Sequence, residues 1–370
     1  MPKGFWIFLI ILLVLLFVLF SLFPGFFGLA VSYDKSEQET NIAQIKDTPA
    51  IPVIPPLDPV AYDKKIKDLA NNPPPPVVVQ KFDEVTGEPI PPPPPKPILW
   101  PVKTVYPNAG AILPFNRIVA YYGNLYSTKM GALGQYSEAE MFQRLEVEME
   151  KWKNADPATP VIPALHYIAV VAQGSPGENG KYRARMPDSE IDKVLAMAAR
   201  INAIVFLDFQ VGFSTLAEEL PVYEKYFKLP DVHLGIDPEF SMKGTSRPGK
   251  VVGTLDASDI NFAAHYLANL VKENNLTPKI LVIHRYTQKM VTNYKQIEPL
   301  PEVQIIMHMD GWGGQAKKLN TYQQFIYKEP VQFTGFKLFY KNDIFEAGTA
   351  LMTPETLLKL SPRPIYIQYQ

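Results

Sequence analysis

The stretches AIVFLDFQ (203–210) and VHLGIDPEF (232–240) carry the reading of the fold. Each is a short, nearly continuous apolar run that closes on carboxylates: Asp208 in the first, Asp237 and Glu239 in the second. Such runs fit strands buried on both faces, as in a parallel sheet flanked by helices. Six more share the form: RIVAYYG (117–123), PVIPALHYI (160–168), KILVIHRYT (279–287), VQIIMHMDG (303–311), FTGFKLFYK (333–341) and PIYIQYQ (364–370). Helix-like stretches separate them. SEAEMFQRLEVEMEKW opens on Ser137 with Glu140 three residues on, a capping-box pattern. PDSEIDKVLAMAAR has Pro187 near its first turn, and DASDINFAAHYLANLVKEN is the longest.

Eight alternating strands predict an α/β fold, a (β/α)8 TIM barrel. An open doubly wound sheet is the alternative, but no glycine fingerprint follows the first strand. The chain ends on strand eight without an eighth helix, and ILWPVKTVYPNAGAILPF (98–115) is expected to cover the gap beside strand one.

Upstream the composition changes twice. Gly4 to Val31 is apolar and uncharged, long enough to span a bilayer, where about 20 residues suffice. It reads as an uncleaved anchor, with GLA (28–30) as the cleavage site of the alternative, a signal peptide. Lys3 and the terminal amine put the N-terminus in the cytoplasm and all that follows outside. Residues 34–97 are crowded with proline and read as an extended, disordered stalk, in which DPVAYDKKIKDLANN is expected to form a short helix. The expected domains are therefore an anchor (1–33), a stalk (34–97) and a barrel (98–370). A net charge of −1 speaks against nucleic acid as partner, and the absence of cysteine removes disulfides, thiolate metal sites and a cysteine nucleophile.

Strand side chains alternate, so residues two apart share a face. Asp208 and Gln210 share the face of Phe206; Asp237 and Glu239 that of His233 and Gly235; His308 and Asp310 that of Ile306; His284 and His166 end similar rows. Tyr122 and Lys337 lie near the ends of their strands. All of these are expected at the C-terminal rim, where active sites of this fold lie. A DxE pair suits glycoside hydrolysis, with Glu239 as general acid and Asp208 or Asp310 as the second carboxylate; Asp237 alternatively steadies an N-acetyl group. Trp312 and the tyrosines of AYYGNLY are candidates for stacking on sugar. Gln210, His166, His284, His308 and Lys337 complete the expected substrate contacts, and no cofactor or metal is called for.

The DxE on strand four is similar to that of chitinase-like and lysozyme-like glycoside hydrolase barrels. It departs from the chitinase-like motif in having Gly235 where that motif has another Asp, and Tyr369 and Gln370 where a tryptophan ends the last strand. VAYYGN, VVAQGSPGENGKY, LDFQ, GIDPEF, HMDG and PRPIYIQYQ, spread over 115–370, resemble a family of uncharacterised bacterial secreted proteins and lipoproteins. That resemblance implies the barrel and an extracytoplasmic location, and no particular reaction.

Two other functions compete. A metal-dependent hydrolase would use His284, His308, Asp208, Asp237 and Asp310, but strand one lacks His-x-His and strand eight an Asp. A glycan-binding pseudo-enzyme would keep the mouth without the chemistry. GSPGENGKY (174–182) lacks the spacing of a phosphate loop and is expected to be a mobile loop facing the site. No G-x-S-x-G elbow occurs, which argues against a serine hydrolase.

Overall fold

All eight expected strands form. They are β1 (Arg117–Gly123), β2 (Val161–Ala172), β3 (Ile204–Phe209) and β4 (Val232–Ile236), then β5 (Lys279–Arg285), β6 (Val303–Met309), β7 (Phe333–Leu338) and β8 (Tyr366–Tyr369). In this computed structural model, which describes residues 54–74, 81–82, 87–90, 97–346 and 348–370, each strand pairs in parallel with the next, and β8 pairs with β1. The result is an α/β fold with a closed eight-stranded parallel barrel, consistent with a TIM barrel. The short strand Arg183–Arg185 adds antiparallel to the end of β2. The predicted anchor and most of the predicted stalk lie outside the described residues; among the described residues no helix is long and apolar enough to cross a membrane.

Alternation sets the two apolar layers. Ile118, Ala120, Ala164, Ile204, Phe206, Ile280, Val282 and Ile306 fill the barrel interior. Their neighbours Val119, Leu165, Val205, Leu207, Leu234, Leu281, Ile283, Ile305 and Met307 face the helices. The helices begin where their caps direct. Ser137 caps α2 (Glu138–Ala155) by accepting from Glu140 N–H, and α3 (Asp188–Arg200) starts just after Pro187. Asp256 and Asp259 form a capping box on α4 (Ala257–Asn274). The helix α5 (Gln315–Tyr322) follows β6.

Two expectations about the barrel's surroundings are corrected. Residues 98–115 lie across the N-terminal mouth. There Leu113 exchanges two hydrogen bonds with the buried Gln304 amide, at 3.0 and 2.7 Å, and Trp100 donates to Tyr327 O. The flank where β8 meets β1 is covered from the other side. Trp152 on α2 donates to the Tyr369 hydroxyl at 3.0 Å, Tyr340 donates to Glu148, and the short helix Pro354–Leu357 packs against α2. Aromatic bulk on β1, β8 and the β7 loop thus does the work of a helix, with Tyr121, Tyr340 and Tyr369 in mutual contact.

The helix expected within the stalk, α1 (Pro59–Ala70), belongs to the barrel unit, which begins at Ile54 and not at 98. Its buried Tyr62 packs edge-on to Phe115, and its C-terminus is tied to the segment before β8. Arg363 donates to Asn71 Oδ1 and its N–H to Leu69 O, while Asn71 and Ser361 complete the exchange. The carbonyls that a helix C-terminus leaves unpaired are satisfied here by the barrel itself.

Candidate active site

At the C-terminal mouth a cavity of about 350 Å³ opens to solvent. Of the residues expected there, Glu239, Asp237, Asp310, Tyr122, Gln210, Trp312 and Lys337 line it. The sequence reading missed Tyr286, Lys129, Phe240, Phe339 and Gln370, which line it as well. Tyr286 carried a usable signal, since it follows His284 by two on the same alternating row. The loop 174–182 is not among the lining residues. Arg183 and Arg185 just after it are clamped by the buried Glu219, both at 2.7 Å.

The two acids of DPEF reach the cavity by a different route from the one expected. Strand β4 ends at Ile236, and Pro238–Phe240 forms a 3-10 turn. Asp237 caps that turn, accepting from Glu239 N–H at 3.0 Å. Proline after the aspartate removes a ladder donor and favours the turn. Asp237 is buried, with Gln210 Nε2 3.4 Å from its Oδ2; Glu239 is half-buried and accepts from the Tyr286 hydroxyl. Burial, reinforced by the charge on Asp310, pushes the Glu239 carboxyl above its ordinary value. Burial pushes Asp237 well up as well, against the opposing pull of His284. Both therefore hold protons to higher pH than exposed carboxyls do.

Asp310 is the counterpart. Its Oδ1 lies 3.0 Å from Lys337 Nζ, and its Oδ2 takes a 2.8 Å hydrogen bond from His284 Nδ1. Burial works against its charge, but Lys337 and His284 outweigh it and hold the carboxyl below the usual range. Lys337 is itself set 3.8 Å over the Tyr122 ring. The loops carrying these groups are joined by Lys318, which donates to Gly311 O and Lys337 O, both at 2.8 Å, and pairs with Asp343.

Asp208, His166, His284 and His308 were expected at the rim and are instead fully buried, outside the cavity lining. Asp208 accepts from the Tyr122 hydroxyl at 3.0 Å through Oδ2. Its Oδ1 stands 3.2 Å from His166 Nε2 and 3.3 Å from His284 Nε2. Burial lowers the His166 pKa to about 4. It disfavours the charged His284 too, but Asp208 and Asp310 on either side raise that pKa to about 10. His308 stacks edge-on against His284 and Tyr366, and neither of its ring nitrogens has a hydrogen-bond partner. Among the described residues, His166, Asp208 and His284 are the three whose donor atoms cluster closely enough for a metal ion, all within 4.8 Å of one another. This set differs from the one read from the sequence: it contains His166, and His308, Asp237 and Asp310 are outside it.

The eleven expected residues thus divide between a cavity lining and a buried layer beneath it. No protein-family model matches the sequence, and no curated protein shows significant similarity to it. The class rests on architecture alone: a closed parallel α/β barrel whose C-terminal mouth is acidic and aromatic.

Proposed function

We propose that this chain is a glycoside-hydrolase-like enzyme acting on a cell-surface or cell-wall polysaccharide. The observation that carries the reading is the pairing, in one cavity, of a half-buried acid whose proton affinity burial raises with a carboxylate whose proton affinity an ammonium group lowers: Glu239 and Asp310 beside Lys337. Glycosidic cleavage uses these two states together. Glu239 gives its proton to the leaving glycosidic oxygen as the bond to the anomeric carbon breaks. Asp310 meets the developing positive charge, either by bonding to that carbon or by taking a proton from the attacking water. Asp237 fixes the backbone of Glu239 and lies where it can orient a substrate amide. Tyr286 bonds the acid, and Trp312, about half-exposed at 54%, offers a face for a sugar ring. Asp208 is not assigned chemistry, because it is sealed beneath the cavity.

The apolar run at 4–31 and the proline-rich segment support display of the barrel outside the cell on a membrane anchor. The test of the reaction is release of reducing ends from a panel of bacterial surface and cell-wall glycans by the wild-type chain and by Glu239→Gln. Cleavage reduced at least about 100-fold in the variant, with glycan binding retained, supports the assignment. Undiminished cleavage by Glu239→Gln, or binding by both forms with no cleavage by either, overturns it; the second result describes a glycan-binding module.

A further inference from the structure

We propose that His166, Asp208 and His284 form a site for one divalent transition-metal ion of the zinc class, buried beneath the mouth cavity. The Nε2 atoms of the two histidines lie 3.2 and 3.3 Å from Asp208 Oδ1. Metal–ligand bonds of about 2.0–2.1 Å meeting at a tetrahedral angle set donors about 3.3 Å apart. The three side chains come from β2, β3 and β5, so the rigid barrel wall fixes the spacing.

The groups behind the donors are those a metal site needs. Ligating imidazoles are aimed by a partner on the second ring nitrogen. His284 Nδ1 has Asp310 at 2.8 Å, and His166 Nδ1 has the Tyr366 hydroxyl at 2.6 Å. The oxygen of Asp208 that faces away from the cluster is held by Tyr122. Each of the three thus keeps one atom turned into the cluster, and there the hydrogen bonding is incomplete. His284 Nε2, fully buried, has no aligned hydrogen-bond partner despite its proximity to Asp208. A buried polar atom without a partner is costly in a folded protein, and an ion removes that cost. The ion takes the place that a proton on His284 Nε2 holds otherwise. Two imidazoles and one carboxylate without thiolate suit zinc, cobalt, nickel or iron(II) better than calcium or magnesium.

The cluster is separate from the cavity lining, so the ion is assigned a positioning role. It fixes Asp310 through His284, and Tyr122 through Asp208.

The test uses the full-length chain, purified with a tag free of histidine, stripped by chelator and titrated with Co²⁺. Visible absorption reports coordination, and elemental analysis reports stoichiometry after exchange with Zn²⁺. One ion per chain is expected, with the intense visible bands of low-coordinate Co²⁺. Asp208→Asn and His166→Gln should abolish binding, and Tyr366→Phe should weaken it about 10–100-fold as loss of an outer partner does. Glu239→Gln should bind like wild type. Circular dichroism identifies any variant that fails to fold, in which case the wild-type and Tyr366→Phe titrations decide. Folded wild-type chain that takes up no stoichiometric ion overturns the proposal. So does uptake that is unchanged in folded Asp208→Asn and Tyr366→Phe, or lost in Glu239→Gln. No glycan is present, so the result is independent of the hydrolase reading.

Discussion

Gly235 on β4 leaves the space that Asp208 on β3 occupies: a Cβ at Gly235 would stand 2.4 Å from Asp208 Oδ1 and 2.4 Å from His166 Nε2. The two residues are register partners across the strands. Where the chitinase-like motif has an aspartate on strand four, this chain has no side chain, and the neighbouring strand fills the space with its own carboxylate. Gly235→Ala is therefore expected to destabilise the barrel by about 1–3 kcal/mol, the cost of forcing an extra methyl into a packed interior. Urea denaturation measures it. An unchanged midpoint would mean that the His166–Asp208 pair moves aside without cost.

Much of this was legible in advance. The eight apolar runs became eight strands because strand burial on two faces is a local property of composition. The inward rows at His166, Asp208 and His284 followed from alternation alone. Depth was not legible: whether a polar residue reaches the rim or stops one layer below depends on the stagger between strands, which no single run encodes. Asp237 and Glu239 were placed by alternation on a shared strand face, but Pro238 ends the strand first. Composition puts 58–72 in the stalk because the proline-rich flanks dominate it. The contacts that recruit α1 to the barrel lie almost 300 residues away at Ser361 and Arg363, with separations of 291 and 292.

That recruitment has a measurable consequence. A fragment beginning at Ile54 should melt cooperatively and at a higher temperature than one beginning at Ile98, which leaves Arg363 and the apolar face under Tyr62 uncovered. Within the full chain, Arg363→Ala should cost about 1–2 kcal/mol through the part-buried acceptors Leu358 O and Asn71 Oδ1 that it abandons. Equal melting temperatures for the two fragments would return α1 to the stalk.

Asp237 makes a prediction about pH and stability. Its folded-state pKa is raised, so over the range between the ordinary carboxylate value and that raised value the folded chain binds more protons than the unfolded one. Stability contributed by the group is then greatest at low pH and is lost as pH rises through that range. Asp237→Asn cannot ionise and keeps the acceptor for Glu239 N–H. Its melting temperature relative to wild type should climb as pH rises above the ordinary carboxylate range. A difference that stays flat or falls with pH would mean that Asp237 is ionised in the fold.

Glu239 makes the corresponding prediction for activity. As general acid it must enter the reaction protonated, so kcat/KM should fall as pH rises through its elevated pKa. The residual activity of Glu239→Gln should lack that alkaline limb. Retention of the limb in the variant would assign it to another group.

Lys337 and Asp310 should prove strongly coupled. Their side chains are 2% and 8% exposed, and the ammonium is the ion-pair partner of Asp310 Oδ1 at 3.0 Å. Lys337→Met removes the partner of Asp310 Oδ1 and leaves the buried carboxylate with His284 alone, for which a loss of about 3 kcal/mol is expected. Asp310→Asn in the same chain removes that charge while its amide oxygen still accepts from His284 Nδ1, now at 2.8 Å from the acceptor. The double variant should therefore recover more than half of the lost stability, giving a positive rescue in a double-mutant cycle of urea midpoints. Strict additivity would mean that water reaches Asp310 readily enough to solvate it alone. In that case Lys337 could not be what keeps the carboxylate ionised, and the low proton affinity of Asp310 beside Glu239 would have to rest on His284.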